Sequence, residues 1–232
     1  VSLIWYFENV FYQSVSKIYN YIQQNIFDGE DIGNQVINLG FWPGGDRDGN
    51  PFVTTEITLK VAQRLRSTIL MNYYRDIRKL KRRVTFSEVD AIITEIETPL
   101  YQSAISKTGK IKMSLEDFKS KLHKIKDIVE NKHQGLFVEE IDDLINKANI
   151  FGYHFATLDI RQDSGKHAEV LEEIIKTQPN LLPKNYASLS NEEQIEALTK
   201  VEGNIDPDKY EDGITKSTLS SIYAMQEIQS KN

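Results

Sequence analysis

The sequence predicts a mainly α-helical protein with about two short strands. Two observations predict the helices: apolar residues recur at steps of three and four through residues 1–25, and they do so again through residues 54–80. A third observation predicts the strands. Residues 34–41 form a short, largely apolar stretch before a glycine-rich loop, and residues 153–162 alternate with period two.

Composition sets the class of protein. The 232 residues are 40% hydrophobic and 27% charged, as in an ordinary globular protein, and the net charge of -6 argues against non-specific binding to nucleic acid or to an anionic membrane. The absence of cysteine excludes disulfides and thiolate chemistry, and with no signal peptide a cytoplasmic location is expected. Since Val1 enters apolar sequence with no N-cap, we expect residues 1–232 to be a single partial domain.

Capping residues and apolar periods predict the later helices in order. Ser114 with Asp117 resembles a capping box, and so does Ser190 with Glu193. Residues 107–110 are a predicted turn, and residues 177–216 are expected to contribute surface loops and an insert. The predicted helices begin at Ser87 (with Pro99 interrupting or bending it), Ser114 (with Gly135 closing it), Val138, Asp163-Ser164, Ser190 and Ser217.

The glycine-rich loop at residues 40–51 is the first candidate for a binding site. Four glycines and two prolines crowd into these twelve residues, and apolar elements flank them, so the loop is expected to be held rigidly. It carries Asp46, Arg47, Asp48 and Asn50. Because a guanidinium offers a planar fork of donors to carboxylate or phosphate, we interpret the loop as anion-binding.

Other chemistries fit the loop less well. Asp46, Asp48 and Asn50 imitate a calcium loop, but Pro51 takes the position that needs glycine and Ile57 the position that needs glutamate. No Gly-Lys-Ser/Thr ends the loop as phosphate loops require, and no Gly-x-Ser-x-Gly turn is present. The four histidines have no metal-ligand spacing, so no metal site is predicted.

The predicted strand at residues 153–162 is the second candidate. Period two places Asp159 and Arg161 on one face together with Tyr153 and Phe155, and apolar residues on the other. An inward-facing barrel strand that opens into an active site needs this pattern. An internal ion pair that only fastens the strand is supported equally well by the residue types.

Both stretches resemble signatures of the phosphoenolpyruvate carboxylase family. Residues 41–54 contain Gly-Gly-Asp-Arg-Asp-Gly-Asn-Pro, and residues 151–164 contain Leu-Asp-Ile-Arg-Gln-Asp-Ser followed by Lys166-His167. The opening Trp5-Tyr6-Phe7-Glu8 is similar to the helix before the first signature. The resemblance covers roughly residues 1–176. It departs from the family pattern at Pro43, where Met or Ile is usual, and at Asp163, where Glu is commoner.

The resemblance implies a large helical protein around an eight-stranded β/α barrel, to which this chain contributes two short parallel strands. The family carboxylates phosphoenolpyruvate with bicarbonate and Mg²⁺ or Mn²⁺, giving oxaloacetate and phosphate, as an allosteric cytoplasmic homotetramer. By similarity, Arg161 binds the substrate anion, and Asp159 and Gln162 orient it. Arg47 is similar to an arginine that binds a sugar-phosphate activator, with Asp46 and Asp48 shaping its loop.

Some family motifs are absent from this chain. It has no Thr-Ala-His-Pro-Thr-Glu segment, no Gly-Arg-Gly-Gly loop, and no pair of metal carboxylates in the family's sequence context. We therefore expect the chain alone to be inactive and to bind no metal. The alternative interpretation is a non-catalytic helical module for regulation or interaction that kept the anion-binding loop.

Overall fold

The computed structural model describes residues 2–30, 36–48, 50, 52–106 and 110–230. The protein is mainly helical, as predicted, and none of the helices in these ranges is both long and apolar enough to cross a bilayer. The helices are α1 (Ser2–Tyr6), α2 (Tyr12–Ile26), α3 (Thr55–Arg83), α4 (Ser87–Ser106), α5 (Leu115–Lys132), α6 (Val138–Phe151), α7 (Ser164–Thr177), α8 (Asn191–Thr199) and α9 (Ile214–Gln229), and the strands are β1 (Gly40–Phe41) and β2 (Thr157–Leu158).

The chain divides into two compact units. Unit one comprises residues 1–41, 60–159 and 231–232, and unit two comprises residues 42–59 and 160–230. Each has its own cluster of buried apolar side chains. That residues 1–232 belong to a single partial domain stays a prediction.

The two strands pair in parallel within unit one. Gly40 is opposite Thr157 and Phe41 is opposite Leu158. The amide of Thr157 donates to the carbonyl of Leu39 at 2.8 Å, and the amide of Asp159 donates to the carbonyl of Phe41 at 2.9 Å. Two short parallel strands were expected and are confirmed, although both are shorter than the sequence predicts. Residues 34 and 35 of the first predicted strand lie outside the described residues.

The predicted strand at residues 153–162 is wrong over its first part. Residues 152–156 form turns and bends after α6, and Phe155 has a φ of +73°, so the period-two alternation is broken there. Tyr153 and Phe155 are consequently buried in the core of unit one, with exposed fractions of 4% and 1%. The alternation had predicted that they share a strand face with Asp159, and the structure shows that they do not.

Aromatic packing accounts for this departure from a regular strand. The ring of Phe155 lies edge-to-face against Phe7 at 5.5 Å and against Phe151 at 5.1 Å between centroids. Phe7 also meets Phe41 of β1 edge-to-face at 5.3 Å. Edge-to-face pairs add about 0.5–1.5 kcal/mol each beyond the apolar area that they bury. These contacts offset the unfavourable φ of Phe155.

A π-helical turn at Phe7–Phe11 joins α1 to α2. Phe7, the first residue of the turn, and Tyr12, which follows it, are both buried, although they are five positions apart. In a regular α-helix, positions five apart point in clearly different directions. The wider turn lets both rings enter the same core, where Tyr12 stacks on Phe151 at 5.5 Å.

Most of the predicted helix ends are confirmed. Thr54 accepts from the amide of Ile57, Asp163 caps α7, and Ser190 with Glu193 forms a reciprocal capping box. Ser114 caps α5 by accepting from the amide of Asp117.

Pro99 was expected to interrupt or bend its helix. It does not interrupt the helix, because α4 runs from Ser87 to Ser106 with Pro99 inside. Gly135 follows α5 with a φ of +71° and donates its amide to the carbonyl of Val129, as in a helix-ending turn. Of the predicted turn at residues 107–110, residues 107–109 lie outside the described part of the chain.

A buried cluster of charges fastens three helices of unit one. The Lys147 ammonium of α6 is 3% exposed and lies 3.0 Å from Asp76 Oδ2 of α3 and 2.8 Å from Asp143 Oδ2 of α6. It also sits 4.5 Å from the ring centroid of Tyr12 of α2, whose hydroxyl donates to Asp76. Burial, reinforced by the charge of Asp76, raises the pKa of Tyr12 well above its ordinary value, so the hydroxyl stays protonated.

We expect Lys147→Met to lower the free energy of unfolding by about 3 kcal/mol, because it leaves two carboxylates without their buried cation. Urea denaturation measures the change. Lys126→Met is the matched control, since Lys126 is more exposed and pairs with Asp142, and it should lower the free energy of unfolding by less than about 1 kcal/mol. Equal losses in the free energy of unfolding would contradict the stabilising role of the buried Lys147 cluster.

The same cluster predicts a pH dependence. Burial alone would raise the pKa of Asp76, but the charge of Lys147 and hydrogen bonds from Lys147 and Lys79 outweigh it and lower the pKa. An aspartate whose pKa is lower in the folded state than its unfolded-state value of about 3.9 stabilises the fold at pH values above that unfolded-state pKa. This stabilisation is lost as the pH falls through the folded-state pKa.

The difference in free energy of unfolding between the parent chain and Asp76→Asn should therefore be largest near pH 7 and should shrink below about pH 4. Urea denaturation at a series of pH values measures it. Asp127→Asn, which alters an exposed carboxylate, is the control and should show no such trend. A difference that grows as the pH falls would contradict the prediction.

Candidate functional site

Residues 42–46 of the glycine-rich loop, which lie in unit two, are fixed by backbone hydrogen bonds. The amides of Gly45 and Asp46 both donate to the carbonyl of Trp42, at 3.0 and 3.1 Å. Gly44 has a φ of +85°, a conformation that favours glycine. The hydroxyl of Thr58 donates to the carbonyl of Gly44 at 2.7 Å. These bonds fasten residues 42–46 to the first turn of α3 and hold that part of the loop in place.

The loop pairs with the second stretch through Arg161. The amide of Arg161 donates to the carbonyl of Gly45 at 3.0 Å, and the amide of Arg47 donates to the carbonyl of Arg161 at 2.9 Å. Asp46 and Arg161 form a parallel β-bridge. The structure thus brings Asp46, Arg47 and Arg161 together along the backbone within unit two.

The side chain of Arg47 is held by a hydroxyl. Its Nη2 donates to Ser217 Oγ in the first turn of α9, while its Nη1 is buried and has no hydrogen-bond partner among the residues that the structure describes. Among the described residues, no carboxylate forms an ion pair with Arg47. Burial lowers the pKa of the Arg47 guanidinium, as expected for a cation partly withdrawn from water without a counter-charge.

The side chain of Arg161 is exposed to solvent. The residues of unit two that the structure describes do not bury it, so its role in binding a substrate anion stays a prediction. Gln162 is half-buried, and its Oε1 accepts from the amide of Asp163 at 3.2 Å. That bond occupies one acceptor of the side chain predicted to orient Arg161.

Asp159 lies just after β2 in unit one. A Cβ at Gly40 would stand 3.4 Å from Asp159 Oδ2, so the carboxylate lies directly against the backbone of β1. Glycine at residue 40 leaves this carboxylate room to sit there. The predicted action of Asp159 on Arg161 stays a prediction.

The other predicted loop residues differ in exposure. Asp46 is half-buried, and Asp48 and Asn50 are exposed. Asn50 Oδ1 accepts from the amide of Phe52 at 3.1 Å, so this side chain shapes the turn that leads to α3.

The described ranges contain no group of three or more His, Asp or Glu side chains placed to hold a metal ion. The Mg²⁺ or Mn²⁺ that the resemblance implies therefore does not fit the residues seen here.

Sequence reasoning missed two residues of this site. Ser217 was predicted only as the start of a helix, and it is 170 positions from Arg47, so no local pattern could reveal their contact. Thr58 was part of a predicted helix. Its position one turn after the N-cap Thr54 is the one signal that its hydroxyl could reach back to the loop.

Comparison with known proteins agrees with the two signatures. The sequence model of the family described as "Phosphoenolpyruvate carboxylase" matches residues 2–127 and 94–228. The phosphoenolpyruvate carboxylase of Thermosynechococcus vestitus is 25% identical over 243 aligned residues, which cover 82% of this chain and 24% of that relative. The chain thus spans about a quarter of the length of this relative. Because the family match extends over nearly the whole sequence, the chain belongs to the phosphoenolpyruvate carboxylase family.

Proposed function

We propose that this chain is a segment of a phosphoenolpyruvate carboxylase that supplies two anion-binding arginines to it. The reaction joins phosphoenolpyruvate and bicarbonate and yields oxaloacetate and phosphate. The observation that carries the proposal is the 2.9 Å hydrogen bond from the Arg47 amide to the Arg161 carbonyl, which puts the backbones of the two arginines side by side.

The chemistry suits fixed guanidinium groups. Both substrates and the products are anions, so negative charge is present at every stage of the reaction. A guanidinium held in place before the reaction stabilises such charge without reorganising. Arg161 binds the substrate anion, oriented by Asp159 and Gln162. Arg47, in the loop shaped by Asp46, Asp48 and Asn50, binds a second phosphate-bearing anion such as a sugar-phosphate activator.

The wider setting is part of the same proposal. β1 and β2 are neighbouring strands of an eight-stranded β/α barrel, and their parallel register supports this. The enzyme is a cytoplasmic, allosterically regulated homotetramer. Its Mg²⁺ or Mn²⁺ is held by residues other than those described here.

The 232-residue chain should form no oxaloacetate from phosphoenolpyruvate, bicarbonate and Mg²⁺, because it lacks the histidine-bearing and glycine-arginine motifs of the family. A coupled assay that reduces oxaloacetate with NADH measures the rate. The relative from Thermosynechococcus vestitus serves as the positive control. Bicarbonate-dependent oxaloacetate formation by the chain alone would refute the expectation.

Titration calorimetry of the 232-residue chain tests the two arginines. Arg47→Gln should weaken binding of inorganic phosphate and of a hexose monophosphate about 10- to 100-fold, because a hydrogen bond to a charged group contributes about 1.5–3 kcal/mol. Arg161→Gln should weaken phosphoenolpyruvate binding by a similar factor. Arg82→Gln, in the exposed last turn of α3, is the control for general electrostatic attraction and should change neither.

The two variants also separate the enzyme segment from a non-catalytic anion-binding module. A module of that kind needs the Arg47 site but has no use for Arg161. Phosphoenolpyruvate binding that survives Arg161→Gln unchanged would therefore favour the module. Anion binding that is unaffected by Arg47→Gln would remove the Arg47 site from the proposal.

A further inference from the structure

The guanidinium of Arg47 has two ends with different surroundings. Nη2 donates to Ser217 Oγ, whereas Nη1 is buried and has no hydrogen-bond partner within the described ranges. Buried donors are nearly always satisfied in folded proteins, and a donor left without an acceptor is unfavourable. Because Nη1 is buried, an anion reaches it only when the side chains around it move aside, and the bond from Nη2 to Ser217 Oγ is the observed contact that holds the guanidinium.

Ser217 is a rigid anchor because α9 is packed firmly in unit two. Its neighbours Thr215, Thr218 and Leu219 are 1%, 3% and 6% exposed. The hydroxyl of Thr215 donates to Glu173 of α7, which adds a polar bond between the two helices. An arginine side chain has several rotatable bonds, and a fixed acceptor at one end of the guanidinium restricts them.

The anchor is also electrically neutral. A carboxylate in the place of Ser217 would form an ion pair with Arg47 and compete with any anion for it. A hydroxyl accepts a hydrogen bond and leaves the positive charge of the guanidinium uncompensated. The chain thus orients the arginine without neutralising it.

We propose that Ser217 is the positioning residue of the Arg47 anion site: its hydroxyl holds Nη2 and so fixes the guanidinium in the place where a phosphate pairs with it. This inference rests on the proposed anion-binding role of Arg47. It adds α9 to the machinery of that site. It also makes the hydroxyl, rather than the bulk of the side chain, the functional feature of residue 217.

The test is calorimetric titration of the 232-residue chain with inorganic phosphate. Ser217→Ala should weaken phosphate binding about fivefold to tenfold, the effect of one hydrogen bond. Ser217→Thr keeps the hydroxyl and should restore affinity to within about twofold of the parent, whereas Ser217→Asp should abolish binding by pairing with Arg47. Ser220→Ala removes another half-buried hydroxyl of α9 and is the matched control, expected to bind as the parent does.

The outcomes separate this inference from the proposed function. If Arg47→Gln loses phosphate binding and Ser217→Ala keeps it, the positioning role is overturned and the Arg47 site stands. If Arg47→Gln binds phosphate as the parent does, the site itself is overturned. A Ser217→Thr variant as weak as Ser217→Ala would show that the hydroxyl is not the feature that matters, and would also overturn the inference. Thermal melts of Ser217→Ala, Ser217→Thr and Ser220→Ala should agree with the parent within about 2 °C, because a half-buried surface hydroxyl contributes little to stability.

If Ser217→Ala proves unstable, the Ser217→Thr and Ser217→Asp pair decides the matter alone. Both keep an oxygen at this position, and they differ in charge. Retained binding in the first variant and lost binding in the second supports the positioning role, and equal binding in both overturns it.

Discussion

Two backbone hydrogen bonds between the glycine-rich loop and Arg161 are the constraint on which the candidate site depends. They join the carbonyl and amide of Arg161 to the backbone of Arg47 and Gly45, and neither bond uses an arginine side chain. A backbone bond does not depend on side-chain identity, so the relative position of the two arginine backbones is set by the course of the main chain. The positive φ of Gly44 and the bond from Thr58 then keep the loop in the conformation that makes this pairing possible.

The two units are stabilised in different ways. Unit one combines a large aromatic and aliphatic core with the buried cluster around Lys147. The buried apolar cluster of unit two is much smaller, built on Val170, Ile174, Tyr210 and Leu219, and contacts such as Thr215 with Glu173 supplement it. Regions with fewer buried apolar contacts open locally at lower free energy. Arg47 and the part of the glycine-rich loop around it thus belong to the unit whose geometry depends more on individual polar bonds.

The sequence predicted the features that are local. Helix boundaries followed from capping residues such as Ser190 with Glu193, whose bonds form within one turn, and the pairing of two parallel strands followed from the resemblance. The predicted strand at residues 153–162 was too long, because alternation cannot reveal the positive φ that Phe155 adopts to reach Phe7 and Phe151. Pro99 stayed within a helix that its flanking apolar residues bury.

In the candidate site, too, the sequence predicted the residues that lie close together in the chain and missed a contact between distant parts of it. The loop residues were found from the sequence because glycines and charged residues crowd together there. Ser217 was not found, because its contact with Arg47 joins parts of the chain that are far apart in sequence and exists only after both elements fold.

The π-helical turn at Phe7–Phe11 has a consequence for how this helix changes among relatives. Its hydrogen-bonded ring encloses one residue more than an α-helical ring does, so it takes up a single-residue insertion locally and spares the rest of the helix a rotation of about 100°. A family member with four residues where this chain has five would form an uninterrupted α-helix and still direct the same two aromatic positions inward. Its alignment with this chain should then show a one-residue gap at this place, with matching apolar positions on both sides.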